Sequence, residues 1–314
     1  MTEPRNTLPA ATADGAPLAL DQATRDRLEA AIGDSLAPAT RRAYRAAWSA
    51  WVAWADQVGT DAMPARPDAL AAFLASRAEG GASMATLRMA TAAIGKAHEL
   101  AGEANPCADR IVKTAMQGLA RQAADAGATA RQARALDAEA VATIRGAYNG
   151  EADTLPGALT VAICSVMAEA GLRRSEAAAL RWCDLEPAGD GSARLTVHRS
   201  KTDQLGDGAV VALTSQAVAD LDRLASLAGT GWGTDAPVFG LSDRQIARRI
   251  AAAAKRAGLG DGFSGHSGRV GMAKRMTRNG APAAAVMRQG RWSTVRMVAR
   301  YTRNENAGEA LKYL

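Results

Sequence analysis

Ser264-Gly265-His266-Ser267-Gly268-Arg269, followed by Gly290-Arg291-Trp292 and then Arg300-Tyr301-Thr302-Arg303, is the stretch that organises this chain. A histidine and an arginine three apart, a tryptophan and a tyrosine supply a proton carrier, an anion clamp, a wall and a nucleophile. The set implies the catalytic half of an enzyme that attacks a phosphodiester with a tyrosine. Local signals place the set on helices: one over His266–Arg278 ending near Gly280, one from Pro282 to about Gly290, and a last one capped by Ser293 or Thr294. The last helix carries Met297, Val298 and Tyr301 along one side.

Charge is concentrated around the same stretch. From Leu241 to Asn304 there are fourteen Lys and Arg against two acids, Asp243 and Asp261, a net of +12 in a chain whose total is +6. The remainder is therefore mildly acidic, and the concentrated basic face reads as a polyanion site. Part of it is a helix over Asp243–Ala257, capped by Ser242 and anchored by Ile246 and Ile250, with Arg244, Arg248, Arg249, Lys255 and Arg256.

Upstream, Leu136-Asp137-Ala138-Glu139 marks a helix start with Val141 and Ile144 inward, and Pro156–Ala170 reads as a buried apolar helix stopped at Gly171. Arg173 follows, with Glu176 three residues on and on the same helical face. An arginine that must meet a phosphate needs its fork held, and a neighbouring carboxylate can do that; a surface ion pair is the ordinary alternative, and it suits Arg174 better. Ala193–His198 and Ala209–Leu213 alternate like paired strands around a hairpin loop, Arg199–Gly208. A lysine at a loop tip is ordinarily solvated, yet if Lys201 reaches a phosphate its ammonium can protonate a leaving alkoxide.

The first half carries no pocket chemistry. Residues 1–17 read as a flexible lead-in, and helical patterning starts near Leu18 and stops at Gly33. Pro38–Val58 is the clearest helix, with Tyr44, Trp48, Trp51, Val52 and Ala55 on one stripe and Trp54 at its edge. The tryptophans read as core. Thr40, Arg41, Arg42 and Arg45 near its start suit phosphate contact, although short basic clusters are also common on solvated faces. Pro67–Glu79 follows with Leu70, Phe73 and Leu74 inward. Ser83 then caps a helix running to about Ala101, where Thr86, Arg88 and alanine-rich faces can share a groove. Asn105-Pro106 opens a fifth helix to roughly Gln122, and 123–134 reads as a linker. Five short helices of this kind make a binding module.

At 314 residues, 48% hydrophobic but only 4% aromatic, the composition favours two domains of helices packed through small residues. Cys107, Cys164 and Cys183 lie far apart and read as reduced core residues of a cytosolic protein. Three scattered histidines suggest no metal cluster, and no apolar run approaches a bilayer span. No phosphate-binding glycine loop is present.

Taken in order, GLRRSEAAALRWCDL (171–185), RSKTDQLGDG (199–208), HSGR (266–269), GRW (290–292) and RYTRN (300–304) closely resemble the tyrosine recombinase (phage integrase) family, and GRW before the tyrosine looks most like its Cre-like members. The resemblance implies a mainly α fold with a small antiparallel β-sheet in the C-terminal domain, arranged as a two-domain C-shaped clamp around DNA. A helical core-binding domain would span 18–122, the catalytic domain 135–304, and a short helix docking on a neighbouring protomer 305–314. It further implies that Tyr301 attacks the scissile phosphate to form a 3′-phosphotyrosyl link, that Arg173 and Arg269 grip the non-bridging oxygens, and that Lys201 protonates the 5′-oxygen. His266 would bond the phosphate and assist proton transfer, Glu176 would orient the arginine side, and Trp292 would donate its indole N–H. Plain core packing is an equal reading of Trp292, and Tyr313 is the competing tyrosine.

The implied partner is double-stranded DNA with inverted repeats, bound by a dimer on each site and a tetramer in the synapse. ATP is not expected, because the covalent link conserves the phosphodiester energy, nor is a metal, because two guanidiniums and donor N–H groups can stabilise the transition-state charge. Thr40, Arg41, Arg42, Arg45, Ser83, Thr86, Arg88, Arg199, Arg244 and Arg248 are the candidate DNA contacts, in a cytoplasmic, nucleoid-associated protein of bacterial, phage or plasmid origin. A DNA-binding protein that keeps the fold without catalysis and a strand-relaxing topoisomerase of type IB chemistry are the competing readings.

Overall fold

The computed structural model describes residues 37–127, 132–151, 153–198 and 208–302. The expected lead-in and its first helix, Arg199, Lys201, Tyr313 and the 305–314 tail lie outside the described residues. Two compact units divide the chain, Met1–Ala130 and Arg131–Leu314.

The first unit is helical: α1 (Pro38–Val58), α2 (Pro67–Glu79), α3 (Met84–Ala101) and α4 (Arg110–Asp125). Prolines open α1 and α2, where a missing N–H does no harm. The Ser83 hydroxyl accepts from Thr86 N to cap α3. The expected fifth helix is broken. Pro106–Ala108 forms a 3₁₀ turn, and Asp109 then caps α4, because Asn105 and Asp109 each offer a side-chain acceptor to a separate start.

Trp51, Leu70, Phe73, Leu74, Leu87 and Ile94 form the core. Trp51 meets Phe73 edge-on at 5.4 Å and stacks on Trp54 at 5.7 Å, so Trp54 belongs to the packing rather than its margin. Val52, expected inward, is exposed. It lies between the Trp51–Ala55 line and the solvated arginine side.

The second unit is built around α6 (Leu155–Ala170), buried almost throughout and ending at Gly171 as expected. Around it lie α5 (Ala138–Ala147), α7 (Arg174–Ala179), α8 (Ser215–Ala228), α9 (Asp243–Arg256) and α10 (Ser267–Arg278). A three-stranded antiparallel sheet, β1 (Leu185–Pro187), β2 (Ala193–Val197) and β3 (Ala209–Leu213), runs in the order β1-β2-β3. The two anticipated strands pair with Leu195 opposite Val211, and β1 adds a third that its three residues did not announce.

A separate small core of Val270, Met272, Val286, Trp292, Val298 and Tyr301 joins α10 to α11 (Ala283–Gly290) and α12 (Val295–Thr302). Gly268 lets α10 lie directly on α6, since a Cβ there would collide with the Met167 carbonyl. The fold is thus mainly helical with one small antiparallel sheet, as expected.

The cysteines depart from the all-core reading. Cys164 is buried, its thiol pushed up to about 12 by desolvation, but Cys183 is exposed beside Asp235. Among the described residues no helix is long and apolar enough to cross a membrane.

Candidate active site

The chain crosses one small region four times. The first crossing is the exit of α6. Arg173 precedes α7 rather than sharing a helical face with Glu176, and the carboxylate folds back to it. One Glu176 oxygen accepts from the Arg173 backbone N–H at 2.8 Å, and the other from its guanidinium at 2.6 Å. Arg174 is exposed and reaches Asp243 at 3.8 Å, the surface pairing expected of it.

The second crossing is the start of α10. His266 sits at the N-cap, one residue before the helix begins. Arg269 is 2% exposed. Its guanidinium donates to the carbonyls of Gly171 (2.7 Å) and Gly290 (2.6 Å), which tie α10 to the ends of α6 and α11. Burial, with Arg173 and Arg291 close by, brings the Arg269 guanidinium down to about 10, still charged at neutral pH.

The third crossing is the turn after α11, and it holds a residue to which sequence reasoning gave no role. Arg291 has a left-handed backbone (φ 53°, ψ 52°), a conformation that costs a side chain about 1–2 kcal/mol. Its guanidinium is buried and donates to the carbonyls of Ala170, Gly171 and Gln289 and, at 2.7 Å, to the Glu176 carboxylate. Burial alone would raise the Glu176 carboxyl, but the Arg291 charge and the bonds from Arg173 hold it below the usual carboxylate range. No sequence signal marked this, because apart from Gln289 the partners lie 115 to 121 residues away. Glu169 was legible as the single charge in an otherwise apolar helix. It receives Thr214 N and Oγ1, each at 2.7 Å, at the start of α8.

The last crossing brings the tyrosine. Tyr301 is 6% exposed, stacked on Trp292 at 5.0 Å and 16°, with its hydroxyl 2.5 Å from His266 Nε2. Trp292 packs just as closely against Gly290, where a Cβ would stand 2.7 Å from the ring. The Arg269 guanidinium also lies over the indole, at 5.0 Å. Trp292 Nε1 is buried without a hydrogen-bond partner among the described residues. Partial burial, then the charges of Arg269, Arg300, Arg173 and Arg174, lower the His266 pKa, so its imidazole is neutral at physiological pH and able to accept a proton.

Arg173, Glu176, His266, Arg269, Trp292 and Tyr301 therefore converge, with Arg291 among them. Carriers of positive charge face a neutral histidine and a phenol hydroxyl, an arrangement suited to an anionic substrate and an oxygen nucleophile.

A family model described as the phage integrase family matches residues 136–307, over half of the chain. The chain belongs to this family, the tyrosine recombinases. An integrase/recombinase xerD homolog of Selenomonas ruminantium is 27% identical over 299 residues, covering 89% of this chain and 84% of its own. Recombinase cre of Escherichia phage P1 is 24% identical over 265 residues, 77% of each chain. Among solved structures, the Tn1549 transposon integrase in complex with transposon right end DNA superposes with a TM-score of 0.61 at 12% identity, over 93% of this chain and 97% of that one. XerH site-specific recombinase bound to palindromic difH substrate gives 0.57 at 15%, over 79% and 72%. At such identities the likeness is one of fold.

The recombinase's candidate DNA contacts are scattered by comparison. Arg41, Arg42 and Arg45 are exposed on the first turns of α1, with Thr40 half-buried beside them, and Arg244 and Arg248 are exposed on α9. Arg249, on that same helix, turns inward and bonds Pro156 O and Thr160 Oγ1. A groove of ≈ 400 Å³ does lie between the alanine-rich face of α1 and α3. Thr86 lines it, but Arg88 does not, and Arg77 from α2 supplies the cation. Three- and four-residue periodicity puts Arg88 two positions from Thr86 and so on another face. Ser83 is occupied at the helix cap, its hydroxyl bonded to both the backbone N–H and the hydroxyl of Thr86.

Proposed function

We propose that this protein is a site-specific DNA recombinase that cuts and rejoins strands through a 3′-phosphotyrosyl intermediate. The observation that carries the reading is the 2.5 Å contact between the Tyr301 hydroxyl and a neutral His266 within a cluster of buried arginines. A phenol's reference pKa is about 10, so a tyrosine nucleophile at neutral pH needs a base and cationic surroundings, and both are at hand.

In the proposed step the Tyr301 oxygen bonds to the scissile phosphorus as His266 Nε2 takes the phenol proton. Arg173, Arg269 and the unpartnered Trp292 N–H stabilise the charge on the non-bridging oxygens. The bond to the 5′-oxygen breaks, and Lys201 on the hairpin loop gives that oxygen its proton. Reversal with a 5′-hydroxyl from another strand rejoins the DNA, and the phosphodiester energy is kept throughout, so no ATP is required. Glu176 acts by orienting Arg173.

The first unit, with a linker that begins only after α4 ends at Asp125 rather than at 123, would serve as the core-binding domain that closes with the catalytic domain as a clamp on duplex DNA. Thr40, Arg41, Arg42, Arg45, Thr86, Arg244 and Arg248 would contact phosphates, and Arg199 would do so from the hairpin. The palindromic substrate in the XerH complex supports an inverted-repeat target, occupied by a dimer and joined in a tetramer through the C-terminal tails, in the cytoplasm.

The test uses duplexes selected from a random library by binding to the protein, then nicked near the centre so that cleavage traps the covalent product. Wild type should form adduct and Tyr301→Phe none. Adduct from the Phe variant would move the nucleophile elsewhere, to Tyr313 first. Tight binding with no wild-type adduct would favour the non-catalytic DNA-binding protein. Lys201→Ala should slow cleavage without loss of binding, and a 5′-thio leaving group should restore the rate.

A further inference from the structure

We propose that Arg291 is a positioning residue that locks the Glu176–Arg173 pair to the segment bearing Trp292 and Tyr301. The inference rests on the reading of Arg173 as a phosphate-gripping residue.

Four consecutive residues at the end of α11 each hold a different part of the site. The Gln289 amide bonds both backbone groups of Ala212 on β3, the strand that follows the segment holding Lys201 in the sequence, and also the Glu169 carbonyl. The Gly290 carbonyl receives Arg269, and Trp292 stacks on Tyr301. Arg291 makes the remaining link. Its Nη2 bonds Glu176 Oε2 at 2.7 Å while Arg173 holds the other carboxylate oxygen at 2.6 Å, so one carboxylate fixes two arginines from segments 118 residues apart in register. Nη2 also shares the Gly171 carbonyl with Arg269.

The backbone argues the same way. A left-handed residue just after a helix is ordinarily glycine, which meets no penalty there. An arginine in that conformation, 5% exposed at the side chain, points to a side chain that offsets the strain. Arg291 also meets the last carbonyls of α6, so helix capping alone is the rival explanation. Capping has no need of Glu176, and this separates the two.

The experiment measures affinity for the selected duplex and the rate of adduct formation separately, in Arg291→Gly, Arg291→Lys, Glu176→Gln and the double variant Arg291→Gly with Glu176→Gln. Glycine removes the fork while suiting the backbone. Positioning predicts that Arg291→Gly binds duplex like wild type but forms adduct roughly ten- to hundredfold more slowly, the scale expected when a reacting group is misplaced by about an ångström. The double variant should be no slower than the worse single one, because both changes break one linkage. Lysine, a point charge without a fork, should recover only part of the rate.

A wild-type rate in Arg291→Gly, or losses that multiply in the double variant, would overturn the proposal. If the glycine variant does not fold, the lysine variant decides, and a full wild-type rate there would equally overturn it. Failure of the functional reading looks different: wild type itself gives no adduct, or the Tyr301→Phe control gives one.

Discussion

In the first unit one polar side chain among the described residues is buried, His98, and it is fully occupied by its own fold. Ala65 N donates to its Nε2 and its Nδ1 donates to Ile94 O, both at 2.8 Å, which fixes a neutral tautomer. In the second unit Glu169, Glu176, Asp184 and Arg269 are all buried, and Arg291 nearly so. Desolvating a charge is expensive unless it is paired. A unit that gathers Glu176, Arg269 and Arg291 near an indole N–H without a partner among the described residues and a phenol holds them for something besides cohesion. Among the described residues the first unit buries none of its cations, so they can meet a polyanion with little desolvation in the free protein.

The sharpest way to break this contrast is Arg269→Ala. It removes a proposed phosphate donor and leaves the Gly171 and Gly290 carbonyls with one partner fewer in a buried site. Loss of one such donor is worth about 10²–10³ in rate, and adduct formation should fall by at least that much. The Gly171 carbonyl keeps Arg291, but an unsatisfied Gly290 carbonyl costs about 1–3 kcal/mol, so the urea midpoint should fall too. Arg269→Lys should rescue little, because one ammonium does not span two carbonyls and a phosphate. A lysine variant with near wild-type cleavage would show that charge alone is what the position supplies.

Next in size is Trp292→Phe. Phenylalanine keeps an aromatic face for Tyr301 and loses the N–H. If the indole donates to the phosphate, adduct formation should drop by about tenfold or more while the melting temperature changes little. An unchanged rate would leave Trp292 as core packing, the other reading of the sequence.

What could be read from the chain divides along the same line. Helix bounds were legible wherever a local signal sets them: Pro38 and Pro67 at helix starts, Ser83 and Ser242 as caps, Gly171 as a stop. The aromatic and aliphatic core of the first unit followed from periodicity. β1 did not, because three residues become a strand only by pairing with β2. The break before α4 was missed because two short capping residues, Asn105 and Asp109, compete for one start.

In the site, the residues proposed to meet a substrate were legible as motifs in register. Of the residues that hold them, Glu176 was legible beside Arg173, but those with distant partners were not. Arg291 and Gln289 acquire their partners from α6, α7 and β3, contacts that no local pattern encodes.

Ser83 tests the quieter unit. Its hydroxyl accepts from Thr86 N and meets Thr86 Oγ1 at 2.9 Å, a local task that competes with a phosphate contact. Ser83→Ala should destabilise the protein by roughly 1 kcal/mol, and Ser83→Gly by only a few tenths. If the residue is a cap alone, the dependence of DNA affinity on salt is the same in both variants as in wild type. A loss of affinity shared equally by Ala and Gly, without the difference in stability, would instead make the hydroxyl a DNA contact.

The two histidines make the finest comparison. Both ring nitrogens of His98 are committed to the backbone, whereas His266 Nε2 faces the Tyr301 hydroxyl. Partial burial and the charges of Arg269, Arg300, Arg173 and Arg174 lower the His266 pKa, so the imidazole protonates at a lower pH than an ordinary histidine. If it is the base for Tyr301, adduct formation declines as pH falls, on an acid limb displaced below that of an ordinary histidine, as protonation removes the acceptor. Arg300 is exposed and adds to the depression from outside the buried cluster. Arg300→Gln should therefore let the His266 pKa rise and shift the acid limb of the rate profile to higher pH, with little change in rate at pH 8. A limb that stays in place would mean that a group other than His266 takes the tyrosine proton.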